Sequence, residues 1–122
     1  MRINIKVNGL KFNAELNESE TAKIICSKLP IVGSVSRWGD EIYFEIPVHI
    51  ELEEKFAKEI VSLGDLGFWP SGDCFCIFFG KTPASQGDEI RSVSAVNVSG
   101  IYYWHSDQWT KSTISFWEMI YS

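Results

Sequence analysis

The chain has 122 residues, which suits one domain over residues 1–122 and leaves no room for two. Hydrophobic residues make up 45% and charged residues 22%, excluding disordered and fibrous classes, and a net charge of −5 with three arginines argues against a nucleic-acid partner. No run approaches the roughly 20 apolar residues that cross a bilayer, so no membrane partner is expected.

The chain opens as a hairpin. Ile3, Ile5 and Val7 alternate with polar residues, Asn8-Gly9 supplies a two-residue turn, and Leu10, Phe12, Ala14 and Leu16 alternate on the return. Asn17 with Glu20 then reads as a helix cap and its reciprocal carboxylate. Ala22, Ile25, Cys26 and Leu29 recur at helical spacing until Pro30 stops the element, the one main helix.

Strand signal follows. Ile31 to Trp38 runs to a Gly39-Asp40 turn, after which Ile42, Phe44 and Ile46 point one way and Glu41, Tyr43 and Glu45 the other. Glu51 to Lys58 is charged and reads as a loop or single helical turn, its acidic residues a solvated face. Asp65 to Trp69 is a strand ended by Pro70-Ser71-Gly72. Cys74 to Phe79 is apolar on both faces, as a central strand should be, and Gly80 to Gly87 is loop. Val93 to Tyr103 alternates again, Asp107 to Ser112 suits a short helical turn, and Ile114 to Ile120 a last strand. Seven or eight short strands with one helix predict a mainly β protein, a small closed barrel whose first and last strands are neighbours.

The cysteines read as reduced thiols. The N-terminus lacks a signal-peptide pattern, so a cytoplasmic protein is expected. Cys26 falls on the apolar face of the helix, and Cys74 and Cys76 on the central strand, where thiols behave as small hydrophobes. One residue between Cys74 and Cys76 is too close for ordinary metal-ligand spacing, and His49 and His105 stand in unrelated contexts. No metal or cofactor is expected, and no serine, cysteine or threonine is matched with a histidine base.

Three blocks are distinctive: Trp38-Gly39-Asp40-Glu41-Ile42-Tyr43-Phe44; Gly64-Asp65-Leu66-Gly67-Phe68-Trp69-Pro70 with Phe75 to Pro83; and Ser94 to Val98 with Gly100. In this order they resemble a family of small, mostly uncharacterised prokaryotic proteins with a cyclophilin-like fold. The resemblance runs from the opening hairpin to the last strand, although beyond Ile101 only the turn-then-strand pattern corresponds. Phe68 stands where that family often has a tyrosine. The resemblance implies a closed, roughly eight-stranded barrel with a helix over one end, related in fold to peptidyl-prolyl isomerases and to domains of oxoprolinase- and allophanate-hydrolase-type enzymes. It implies no activity.

Four residues are candidates for a ligand site. Glu41 and Tyr43 share a strand face, with Trp38 just before the turn; Trp69 ends another strand. A carboxylate among aromatic rings can have a raised pKa and act as acid or base. The ordinary reading of that glutamate is a polar residue on the barrel exterior, and that of Trp69 a plug at the barrel rim. Asp65 after Gly64 suits a turn-fixing carboxylate, Lys81 a solvated loop charge, and Asn97 a buried amide that either ties neighbouring backbone, the favoured role, or faces a pocket.

Three functions remain open. The first is binding, or small-molecule chemistry, with a small molecule or peptide held near the barrel mouth by Trp38, Glu41, Tyr43 and Trp69. The second is prolyl isomerisation. That enzyme class presents its arginine in a Phe-His-Arg segment, followed by a Phe-Met pair and a Gln-Gly-Gly run. Here the arginines are Arg2, Arg37 and Arg91, and none has those neighbours. The third is an assembly role, with Tyr102, Tyr103, Trp104, Trp109 and Trp117 forming a homo-oligomer interface in the C-terminal segment.

Overall fold

The computed structural model of the protein describes residues 1–7, 10–103 and 116–121. Ten strands and one helix follow in the order β1 (Arg2–Val7), β2 (Leu10–Leu16), α1 (Glu20–Ser27), β3 (Ile31–Ser34), β4 (Ser36–Trp38), β5 (Glu41–Glu45), β6 (Ala57–Val61), β7 (Asp65–Trp69), β8 (Cys74–Phe78), β9 (Ile90–Tyr103) and β10 (Phe116–Tyr121). The hydrogen-bonded order is β3-β10-β1-β2-β9-β7-β8-β5-β4, with β6 added outside on β9.

The two ends of that order meet. β3 and β4 are separated only by Val35, β3 pairing with β10 and β4 with β5. The ladder therefore returns on itself through one bent strand, and, with β3 and β4 counted together, eight strands form the ring. First and last strands pair directly, Ile3 opposite Tyr121. Closure hides the edges that an open sheet would expose. Val7 pairs with Leu10, as a two-residue connection requires, while Asn8 and Gly9 lie outside the described residues.

The inner face is apolar. Ile3, Ile5, Phe12 and Leu16 meet Ile42, Phe44, Leu66, Phe68, Phe75 and Ile77 there, and α1 adds Ala22, Ile25 and Cys26. Phe68 is fully buried in this core, so the hydroxyl of a tyrosine would lie in apolar surroundings. A second, smaller cluster lies on the other side of the same wall: Cys74, Cys76 and Phe78 of β8, Val96 of β9 and Val61 of β6, flanked by Tyr43 and Trp69. Cys26, Cys74 and Cys76 are all buried, as their apolar settings predict.

Three expectations are corrected. The helix cap is Ser19, whose hydroxyl accepts from the Ala22 amide; Asn17 instead accepts from Ser19 and donates to the Val98 carbonyl, 2.8 Å away. The charged stretch is more than loop, since Ala57–Val61 is a strand. Its acidic face is not simply solvated either. The Glu53 carboxylate accepts from the Glu20 and Thr21 amides at the start of α1, and also from the Thr21 hydroxyl. Burial opposes its ionisation, but these bonds prevail and hold its pKa below the ordinary value.

Tyr102, placed by sequence in an oligomer interface, is instead 3% exposed and donates to the Phe78 carbonyl. Trp104, Trp109, His105 and the Asp107 to Ser112 turn lie outside the described residues. No helix among the described residues is long and apolar enough to cross a membrane.

Candidate ligand-binding site

Strand register assembles the site. The β4–β5 turn sets Trp38 opposite Glu41, the β5–β8 ladder sets Glu41 opposite Phe78 and Tyr43 opposite Cys76, and the β7–β8 ladder sets Trp69 opposite Cys74. Residues directly across an antiparallel ladder project to the same side, so Trp38, Glu41, Tyr43 and Trp69 share one face. It is the face of the second cluster, outside the barrel wall. The mouth of the barrel, where the sequence suggested a ligand, is not where these side chains lie.

Between them is a cavity of about 220 Å³ lined by Trp38, Glu41, Tyr43, Trp69, Ser92 and Val93. All four residues singled out in the sequence are present. Ser92 and Val93 were missed because their place depends on β9 lying beside β7, a pairing between segments some 25 or more positions apart, as in Phe68 opposite Asn97. Their own alternation signals only a strand.

The walls are held before anything enters. Gly39 takes a φ of 62°, and a Cβ there would lie 2.9 Å from the Lys81 carbonyl oxygen. That carbonyl accepts from the Asp40 amide at 2.8 Å, so the turn after Trp38 is fastened to the loop above it. The Trp69 indole N–H donates to the Ser94 hydroxyl at 2.6 Å, and a Cβ at Gly72 would fall 2.5 Å from the indole ring. Trp69 therefore offers its ring to the cavity while its donor is already committed. At Gly67 a Cβ would meet a Val96 methyl at 2.9 Å, so the bare backbone there lets the second layer pack close.

Glu41 is the polar element. It is 5% exposed, and its Oε1 has no hydrogen-bond partner. Burial raises its pKa to about 7, while a hydrogen bond with the Cys76 thiol pulls it down. That thiol is itself pushed well up by burial and by Glu41, so it stays protonated, and its S–H donates to the Cys74 carbonyl 3.8 Å away. The reading of Glu41 as an ordinary exterior glutamate is therefore corrected. At neutral pH its carboxyl sits near its midpoint, able to give a hydrogen bond in one form and accept one in the other.

The remaining polar residues are structural. Asn97 is fully buried; its Oδ1 accepts from the Glu53 amide at 2.7 Å, and its Nδ2 donates to the Thr21 hydroxyl and the Glu51 carbonyl, each at 3.0 Å. Asp65 accepts from the Ser62 amide at 2.8 Å and fixes its turn. His49 lies between Asp73 and Glu51, and hydrogen bonds to these carboxylates raise its pKa. Among the described residues no set of side chains is arranged to hold a metal.

A family model described as cyclophilin-like matches residues 1–117. The chain belongs to this cyclophilin-like family. The solution structure of a hypothetical protein from Archaeoglobus fulgidus superimposes with a TM-score of 0.81 at 37% identity, covering 100% of this chain and 95% of the other. No curated protein matches. The cyclophilin-like barrel thus accounts for the ring of strands and leaves the chemistry of its outer face to be argued from the residues there.

Proposed function

We propose that the protein is a binding protein whose ligand, a small molecule or a peptide side chain, occupies the cavity between Trp38, Glu41, Tyr43 and Trp69. The observation that carries this reading is a buried carboxylate oxygen without a partner at an aromatic-walled cavity. Buried polar atoms in folded proteins are almost always hydrogen-bonded, because an orphaned one costs on the order of 1–3 kcal/mol. A ligand that supplies the missing partner recovers that cost on binding. A cavity of about 220 Å³ suits a fragment-sized group, and a few convergent polar atoms on an apolar lining are the usual composition of such sites.

The test is a fragment screen read through the indole N–H resonances of Trp38 and Trp69, assigned by substitution. Binding should move both signals and weaken at least tenfold in Tyr43→Ala, a half-buried wall residue whose truncation leaves the inner core untouched. Hits that move neither indole, or a screen without hits, would overturn the reading.

A further inference from the structure

Resting on that reading of the cavity, we propose that its ligand class is a compact organic cation, an alkylammonium or quaternary ammonium group seated against Glu41 and faced by the rings of Trp38, Tyr43 and Trp69. Once Glu41 ionises, the cavity holds a negative charge that its own lining does not balance. Its six lining residues include a carboxylate and no base. The nearest arginine in sequence, Arg37, already donates to the Gly39 carbonyl and the Asp40 carboxylate, and Arg91 is bound by Glu59 and Glu89.

The walls match the same ligand. Aromatic faces carry the negative part of the ring quadrupole and attract cations, most strongly where water is displaced. An anion would meet the opposite: a buried carboxylate, three electron-rich rings, and a Trp69 donor already held by Ser94. At Glu41 itself a neutral carbonyl is served by the protonated form and a cation by the ionised form. The part of the affinity that comes from Glu41 therefore responds to pH with opposite signs in the two classes.

The groups facing Glu41 permit that response to be read. From β8 come the thiols of Cys74 and Cys76, both with pKa values raised by burial, and from β5 the Tyr43 phenol and the Glu45 carboxylate. β4, β7 and β9 contribute Trp38, Trp69, Ser92 and Val93, all uncharged. Ionisation of Glu41, centred near pH 7, is then the step a cation must draw on. Linkage makes cation affinity about tenfold weaker at pH 6 than at pH 8.

The experiment uses matched pairs on the intact protein: choline against 3,3-dimethyl-1-butanol, and benzylamine against benzyl alcohol. Affinities are followed by the Trp38 and Trp69 indole signals at pH 6 and pH 8. At pH 8 the cation of at least one pair should bind tenfold or more tightly than its neutral partner, weaken toward pH 6, and lose that advantage in Glu41→Gln. The pH series on wild-type protein decides the matter should Glu41→Gln fold poorly. Neutral partners that bind as well or better while moving the same indoles would overturn the cation assignment and leave the binding site standing. Affinity that rises toward pH 6 would do likewise. Cations that move neither indole overturn the assignment, and the fragment screen then separately decides whether the cavity binds anything.

Discussion

Asn97 and Glu41 are both buried polar side chains lying on the barrel wall, and they differ in how their hydrogen-bonding capacity is used. Asn97 is bonded through both ends of its amide, to the Glu53 amide, the Thr21 hydroxyl and the Glu51 carbonyl, and so joins β9 to the start of α1 and to the segment before β6. Glu41 keeps one oxygen without a partner beside a cavity. A saturated buried group locks a fold together, whereas an unsaturated one weakens the empty protein and invites a partner. Burial is common to the two residues; they differ in the hydrogen bonds left unused and in whether a cavity lies beside them.

The largest effect that tests this contrast is on stability. Asn97→Ala removes three hydrogen bonds and leaves the Glu53 amide and the Glu51 carbonyl without that partner. The cost should be roughly 3–4 kcal/mol, seen as a lower denaturant midpoint. The cavity residues are untouched, so any ligand found should bind the folded variant as it binds wild type. A loss below 1 kcal/mol would mean that the network is not the lock described here.

Legibility in the sequence divides along the same line. The period-2 run Ile42, Phe44, Ile46 identified the inner face correctly, because one strand's alternation is enough to define a core-facing side. What covers the opposite side is a property of several strands at once. Ala57–Val61 mostly exposes its residues and is paired with β9, so it lacks the apolar alternation that marks a strand, and Trp69, Ser92 and Val93, which line the cavity with Glu41, come from segments remote from it in sequence. The cap failed for a related reason. Asn17 and Ser19 are both good capping residues, and the choice between them is settled by a bond from Asn17 to Val98, 81 positions away. The four site residues were legible as unusual aromatic and acidic blocks, but their convergence rests on register.

An intermediate effect belongs to Glu41 and can be read from pH. Its pKa rises from 4.5 to about 7 on folding, so the folded state holds the proton more tightly than the unfolded chain. Stability from this group is greatest at low pH and falls as pH climbs from about 4.5 through 7. The fall between pH 5.5 and 8.5 should be about 2 kcal/mol. Glu41→Gln removes the ionisation, so the difference between wild-type and variant unfolding curves across that range isolates Glu41 from His49 and the other titrating groups. A pH-independent difference would mean that Glu41 is not desolvated, and the contrast with Asn97 would lose its unsaturated member.

The smallest expected effect is none, and it concerns Arg37, the case that could break the contrast. Like Glu41 it has a buried atom without a partner, Nη1. Unlike Glu41, it does not line the cavity, and the rest of its guanidinium is engaged: Nε donates to the Gly39 carbonyl at 2.9 Å, Nη2 to Asp40 at 2.8 Å, and the group lies over the Phe79 ring. The bonds of Nε and Nη2 brace the β4–β5 turn and hold the unused Nη1 in a buried position. Prolyl isomerisation requires the reverse, a guanidinium offered to the amide of the substrate proline. Fold alone is a weak warrant for that activity, and the expected outcome is that it is absent. Uncatalysed X-Pro exchange takes tens to hundreds of seconds at 25 °C, so even modest catalysis of a proline peptide would be plain. Wild-type protein and Arg37→Ala should both leave that rate unchanged. Acceleration by wild type that disappears in Arg37→Ala would show that a mostly saturated side chain can still act on a ligand, and that counting unused bonds does not find the functional residues of this barrel.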